Sequence, residues 1–382
     1  MFREKQGIDL KTGHCVESLS PSGREVSGTI MRGGTFEFPY DKLLIATGAA
    51  PHVPDVPGTD LPGVMVLKNL DDGRKMKQFL QEIPVRKTVI LGMGYIAMEM
   101  CEAMRAREIE VDMVKPGPVF IPWMNPQLAS LVRKELEANQ VGVHLGHLLH
   151  KIVKTEKGLK VICEDLILDC QMVLIAVGIR PCSELAEKAG LILGPSKSIA
   201  VDKKMLTSDE NIYAAGDCSD AYHVVTGQKT WIPLALRANR AGWAVADNVL
   251  GAGIEVEGVA GTAVYKVFDL EVARTGLSVE DAKKHSFEPS EAVIESRTRA
   301  HTYPGGSPLF VEMVGDRKSG RLLGVHIVGK EGAAHRINAP AVALHAGMTV
   351  EEFSQTDLAY APPFGPSWDP MLTASNQLLK GM

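Results

Sequence analysis

The clearest chemistry in the sequence lies between Gly92 and Ala97. The segment reads Gly92-Met93-Gly94-Tyr95-Ile96-Ala97, a G-x-G-x-x-A spacing. The first glycine suits a tight turn, the second lets a pyrophosphate approach the backbone, and the small alanine lets a helix pack closely on a strand. A helix starting there offers free N–H groups and a positive dipole end to phosphates. An acidic residue about 20 positions further on would hold the adenosine ribose hydroxyls of NAD. That place is taken by Lys115, in Val114-Lys115-Pro116-Gly117, while Asp112 lies within the preceding strand. A cation cannot accept ribose hydrogen bonds but can pair with a 2′-phosphate. NADPH is therefore expected to be tolerated or preferred; the alternative is a merely solvated Lys115 and NADH.

Three further segments end an apolar run in glycine. They are Leu43-Leu-Ile-Ala-Thr47-Gly48, Met172-Val-Leu-Ile-Ala-Val-Gly178, and Asn211-Ile-Tyr-Ala-Ala-Gly216-Asp217. Such endings mark the carboxyl edge of an α/β sheet, where ligands bind. Other chemistry-bearing residues give less. Cys15, Cys101, Cys163, Cys170, Cys182 and Cys218 include no Cys-x-x-Cys pair, so all six are expected as small buried hydrophobes. His144, His147 and His150 have no cysteine or carboxylate nearby in ligand register and are expected on a strand and loop without metal.

The elements that must position these residues are legible. Lys87–Leu91 is a β-branched run, followed by the glycine motif, a helical stretch to about Arg107, and a second strand from Ile109 to Val114. Strand, glycine turn, helix and strand in this order form a βαβ dinucleotide-binding unit. Toward the C-terminus, 261–277 alternates enough for a strand pair and Ser278 to Asp281 caps a helix. Leu309 to Val314, the polar turn Gly315 to Gly320, and Arg321 to Val328 read as a β-hairpin, and Thr349 to Glu352 as a capping box.

Composition narrows the class. Length alone, 382 residues at about 150 per domain, suggests two or three domains. With 45% hydrophobic and 23% charged residues the chain is that of a globular protein. A net charge of −5 argues against nucleic acid or an anionic membrane as partner, no apolar run is long enough to span a bilayer, and Met1 to Gln6 carries no apolar signal region. A cytoplasmic location is expected.

Together these segments resemble the two-dinucleotide flavoprotein disulfide reductases, in the NADH oxidase and coenzyme A disulfide reductase branch that includes persulfide reductases and NADH peroxidase. The likeness runs from Phe2 to about Gln377. The tail Asp357-Leu-Ala-Tyr360-Ala-Pro-Pro-Phe364-Gly-Pro-Ser-Trp368-Asp369-Pro370 is specific to the branch. The resemblance implies an α/β fold with FAD- and NAD(P)-binding Rossmann-like domains and a C-terminal α+β domain that forms a homodimer. It implies that electrons pass from NAD(P)H through FAD to a small disulfide, persulfide, peroxide or oxygen. It places Gly92, Gly94, Tyr95, Ile96, Glu99, Lys115 and Gly178 at the nicotinamide nucleotide. Thr47 and Gly48 fall at a domain junction and Asp217, after Gly216, on the FAD ribityl chain. The helix after Pro233 and Leu234 aims its start at the flavin. Tyr303 and Tyr360 match tyrosines implicated in thiol or disulfide chemistry, with a structural role as the alternative. Asn239 and Arg240, and more weakly Arg237, are candidates for the phosphates of coenzyme A; a solvated helix face is the other reading.

The sequence also departs from the family pattern. The resemblance implies an earlier βαβ unit with a first G-x-G-x-x-G for FAD, then a helix bearing a redox cysteine, and neither is present. Cys15 begins a strand and does not replace that cysteine. The expectation is an incomplete FAD domain, with weak or no FAD retention by the chain alone, and an exposed strand edge. The alternative function is a nicotinamide-binding, dimerising module without flavin. The expected domains are 1–72 with 196–257, residual for FAD; 73–195 for NAD(P); and 258–382 for dimerisation.

Overall fold

The computed structural model describes residues 5–382; Met1 to Glu4, including Phe2, lie outside the described residues. The chain divides into two compact units. One holds the described residues up to Ala50 together with Arg180–Val259; the other holds Pro51–Ile179 and Ala260–Met382.

In the first unit, His14–Ser20, Glu25–Ile30 and Thr35–Pro39 form an antiparallel meander. Leu43–Ile45 and Ile212–Ala214 pair in parallel, with Ile212 opposite Leu43. Helix Ala235–Val249 packs Ala241, Ala244 and Val245 into a core with Ile45, Ile199, Ile212 and Ala214.

In the second unit, a five-stranded parallel sheet runs in the order Val64–Val66, Met172–Ile175, Lys87–Leu91, Glu110–Lys115, Val141–Leu145. Its three central strands are largely buried on both faces, which is why Lys87–Leu91 and Met172–Ile175 are almost uninterrupted apolar runs. Ile90, Met113 and Leu174 share a core with helices Tyr95–Arg105 and Pro126–Ala138. Val89, Leu91, Val114 and Ile175 share one with a three-stranded antiparallel sheet, Leu149–Thr155, Gly158–Cys163 and Ile167–Cys170. The expected βαβ unit is present, shifted slightly: the helix ends at Arg105 and the next strand covers Glu110–Lys115. The left-handed backbone of Glu108, at φ 60°, turns the chain between them.

The C-terminal part of this unit is a five-stranded antiparallel sheet, in the order Ala263–Val267, Leu270–Gly276, Leu322–Gly329, Pro308–Asp316, Pro289–Arg297. The expected strand pair, hairpin and caps are all there. Ser278 Oγ accepts from Asp281 N–H at 3.1 Å, and Thr349 and Glu352 form a reciprocal box. Polar ties join this sheet to the dinucleotide-type helices. Glu102 accepts from Lys266 Nζ and Phe268 N–H, Glu135 accepts from Asp269 N–H, and buried Glu312 accepts from Asn125 N–H at 3.0 Å and pairs with buried His326 at 2.8 Å.

The cysteines correct one expectation. Cys101, Cys163, Cys170 and Cys218 are buried, but Cys15 is exposed and Cys182 half-buried. Cys15 lies on an edge strand of the meander, in a run of four exposed residues from Cys15 to Ser18. Burial pushes the Cys101 and Cys170 thiols up to about 12, so neither is a ready nucleophile at neutral pH. Among the described residues no helix is long and apolar enough to cross a membrane.

Candidate functional site

In the second unit the glycine motif sits where strand Lys87–Leu91 gives way to helix Tyr95–Arg105. Gly92 has φ +109°, and its N–H is anchored to Val114 O at 2.8 Å. A methyl at Gly92 would lie 2.2 Å from Ala176 O, so the turn itself requires glycine there. Gly94 is different. It is the helix N-cap, makes no side-chain cap, and a methyl built on it meets nothing within 4 Å. Ala97 is fully buried, where helix and strand approach. The result is an open cradle at an uncapped helix start, which fits a dinucleotide pyrophosphate. Around it, Tyr95 is half-buried with its ring 4.8 Å from that of buried Tyr265, while Ile96 and Glu99 are exposed. Gly178, at φ +121°, also borders open space, and its carbonyl accepts from His52 N–H at 2.9 Å.

Lys115 ends the second strand as expected, but its ammonium turns back onto its own chain. It donates to Val119 O at 2.8 Å and Phe120 O at 3.2 Å, and partial burial lowers its pKa from the ordinary lysine value. Asp112 is committed too. Its carboxylate takes Lys87 Nζ at 2.6 Å and His144 Nε2 at 2.8 Å. Burial opposes its ionisation, yet these two partners hold its carboxyl below the usual range. His147 pairs with Asp165 at 2.6 Å. Two of the three spaced histidines thus meet carboxylates from distant segments, which sequence spacing did not reveal.

Also in this unit, the two tyrosine loops are fastened together. Ala300 N–H donates to Pro362 O at 3.0 Å, and Arg336 donates to Thr298 O and Phe364 O while bonding Asp369 at 3.0 Å. Tyr303 is 37% and Tyr360 63% exposed, beside Phe364 and Trp368 at 78% and 62%.

In the first unit, Thr47 Oγ1 donates to Cys182 O, and Gly48 O accepts from Cys182 N–H at 2.9 Å. Gly48 and Gly216 have φ +72° and +86°, and both border open space. Asp217 follows Gly216, half-buried, with its carbonyl accepting from the Trp231 indole N–H at 2.8 Å. Pro233 and Leu234 lead into helix Ala235–Val249, whose Leu234 N-cap supplies no side-chain hydrogen bond. An open glycine turn bearing a carboxylate, together with an uncapped helix start, fits the ribityl and ring end of a flavin. The only G-x-G-x-x-[GA] spacing in the chain is the one at Gly92.

The coenzyme A candidates separate. Asn239 and Arg240 are exposed, Asn239 donating to Ala235 O at 3.0 Å. Arg237 is only 5% exposed and is no surface cation. Its helix register gives the reason: 237, 241, 244, 245 and 248 are the buried positions of this helix.

This architecture, a parallel dinucleotide-type sheet followed by an antiparallel C-terminal sheet, is that of two-nucleotide oxidoreductases. The sequence matches "Pyridine nucleotide-disulphide oxidoreductase" over residues 1–242 and the dimerisation domain of the same name over 262–371. The chain belongs to the pyridine nucleotide-disulphide oxidoreductase family. It is 35% identical over 379 residues to the NAD(P)H coenzyme A polysulfide/persulfide reductase of Pyrococcus horikoshii, covering 99% of this chain and 84% of that protein. It is 34% identical over 380 residues to an NADH oxidase of Methanocaldococcus jannaschii, covering 99% and 84%. Among solved structures it resembles a NAD-dependent persulfide reductase from A. fulgidus, with TM-score 0.95 and 33% identity over 100% of this chain and 71% of that one.

Proposed function

We propose that the protein is an FAD-dependent NAD(P)H oxidoreductase that reduces a small disulfide or persulfide, working as a cytoplasmic homodimer. The observation that carries this is the pairing of two kinds of open site in one chain. One is the Gly92–Gly94 cradle; the other is the Gly216–Asp217 turn with the uncapped helix start at Leu234. The family's dimerisation domain supports the homodimer, and six cysteines without a disulfide suit a reducing compartment.

Bound FAD would supply the relay between a two-electron hydride donor and a sulfur acceptor. The chain's residues do the rest. Gly92 and Gly94 admit the nicotinamide nucleotide and the helix start holds its phosphates, with Tyr95, Ile96, Glu99 and Gly178 around it. Lys115 reaches a 2′-phosphate only by leaving the carbonyls of Val119 and Phe120. Thr47, Gly48 and Asp217 hold the flavin side, and the start of helix Ala235–Val249 stabilises negative charge there. Tyr303 and Tyr360 supply a proton to a leaving thiolate, and Asn239 and Arg240 meet the phosphates of a coenzyme A substrate. The reaction balances: NAD(P)H and one proton reduce one S–S bond, giving NAD(P)+ and two thiols, or a thiol and hydrogen sulfide from a persulfide.

The test is NAD(P)H oxidation by the chain supplied with FAD, in anaerobic buffer with coenzyme A disulfide, coenzyme A persulfide or no acceptor, and in aerated buffer with no acceptor other than oxygen. Acceptor-dependent oxidation is expected. Oxidation that needs only oxygen would transfer the assignment to the oxidase reaction, and no oxidation with any acceptor would overturn the proposal.

A further inference from the structure

Among the described arginines of the first unit, Arg237 is the one that the fold buries almost completely, and its hydrogen bonds go to backbone carbonyls and a hydroxyl. Burying a guanidinium is costly unless its donors are satisfied. Here three hydrogen bonds from it converge on one turn. Nη1 donates to Gly216 O, and Nη2 donates to Asp220 O and, at 2.9 Å, to Ser219 Oγ. The fork therefore spans Gly216 to Ser219 and Asp220, with Asp217 between the clamped ends.

The far side of the turn is fixed separately. Asp220 Oδ1 accepts from Val201 N–H at 3.0 Å and from Lys229 Nζ at 2.8 Å, and Cys218 O accepts from Ile199 N–H at 2.8 Å. The Asp217 carbonyl is taken by Trp231. Arg237 is the link between this turn and the helix, since it lies in the helix's first turn, three residues after Leu234. A rigid planar fork with several donors fixes distance and orientation in a way that a lysine point charge does not.

We infer that Arg237 is a positioning residue: it locks the Gly216–Asp220 turn to the start of helix Ala235–Val249, so that Asp217 and the free helix N–H groups face one flavin together. Its buried positive charge adds to the helix's own positive end. This inference rests on the flavin reading above. It assigns to the fold's interior a residue that the sequence offered as a surface anion ligand.

The experiment titrates FAD into the purified full chain and into its Arg237→Met, Arg237→Lys and Ser219→Ala variants. Binding is followed by flavin fluorescence, the flavin midpoint potential by redox titration, and stability by thermal unfolding. Losing a hydrogen bond to a charged group costs roughly tenfold or more in an equilibrium constant. Arg237→Met is expected to weaken FAD at least tenfold and to lower the potential by about 30 mV, the equivalent of a tenfold lost preference for the reduced, more negative form. Arg237→Lys is expected to keep the potential but not the affinity. Ser219→Ala, which removes one arm of the fork by deleting a single oxygen, is expected to weaken FAD several-fold.

Wild-type FAD affinity in Arg237→Met or Arg237→Lys would overturn the inference, as would a lowered Tm with affinity and potential unchanged. If Arg237→Met does not fold, unchanged affinity in Ser219→Ala overturns it instead. Weak retention through purification is expected of this chain, so FAD is supplied in large excess; no binding by the wild type under that condition would sink the flavin reading itself, and the inference with it.

Discussion

Gly92 and Gly94 stand two residues apart in one motif, yet the structure gives them opposite jobs, and alanine substitution separates the two. At Gly92 the backbone has φ +109°, which an L-residue adopts only with strain, and the added methyl would press to 2.2 Å from Ala176 O and 2.7 Å from Ala176 C. Strain of about 1–3 kcal/mol plus a forced backbone shift should cost Gly92→Ala about 3 kcal/mol or more of stability. At Gly94 the backbone is extended, φ −87° and ψ −173°, and the methyl meets nothing within 4 Å. Gly94→Ala should therefore lose less than about 1 kcal/mol, the size of an N-cap effect. Its methyl instead occupies space the pyrophosphate needs. Displacing a phosphate from one or two helix N–H groups forfeits about 1.5–3 kcal/mol, which is roughly a 10- to 100-fold rise in the NAD(P)H dissociation constant. Thermal unfolding and nicotinamide fluorescence titration read the two quantities on the same samples. A Gly94→Ala protein that binds NAD(P)H like wild type would refute the assignment of the cradle. A Gly92→Ala protein of wild-type Tm would refute the account of the turn.

Three further outcomes are expected. Because Lys115 already bonds two carbonyls, Lys115→Ala should change the ratio of kcat/KM for NADPH and NADH by less than about threefold; a tenfold fall would mean that the ammonium swings onto the 2′-phosphate. Asp112→Asn should cost about 1–3 kcal/mol at neutral pH. The sign follows from the depressed carboxyl: the wild-type contribution is present above about pH 4, the unfolded value, and is lost as pH falls through the folded value. The variant's acid unfolding curve should lack that limb, and identical limbs would discard the role given to Asp112. Finally, if Tyr360 protonates the leaving thiolate, Tyr360→Phe should lower kcat with a disulfide by about 100-fold. Unchanged turnover removes it from the mechanism.

What could be read from the sequence was whatever is local. The parallel strands announce themselves because burial on two faces demands apolar runs, and the cradle because a turn and a helix start need particular residues within six positions. The C-terminal hairpin and the caps at Ser278 and Thr349 are of the same kind. What escaped was pairing across distance. Asp112 meets His144 across 32 residues and Lys87 across 25, so its carboxylate is unavailable to a ribose although it lies near the right place in the chain. Lys115 escaped for a different reason: its acceptors, Val119 and Phe120, are close in sequence but are backbone carbonyls, which no side-chain pattern displays.

Arg237 falls between these cases, and it shows how charge can mislead where periodicity would not. Read by residue type, it joins Asn239 and Arg240 as a third polar group on a helix start. Read by register, it stands on the stripe of Ala241, Ala244, Val245 and Asn248, which the helix turns inward. A cation on the buried stripe of an otherwise regular helix has to find acceptors inside the fold, and the nearest set it finds is the turn that carries Asp217. The same geometry explains why Arg240, three positions on and exposed, keeps its claim on a phosphate while Arg237 loses it. Exchanging the two should therefore not be neutral. Arg240→Met should weaken a coenzyme A substrate and leave FAD affinity alone, whereas Arg237→Met should do the reverse.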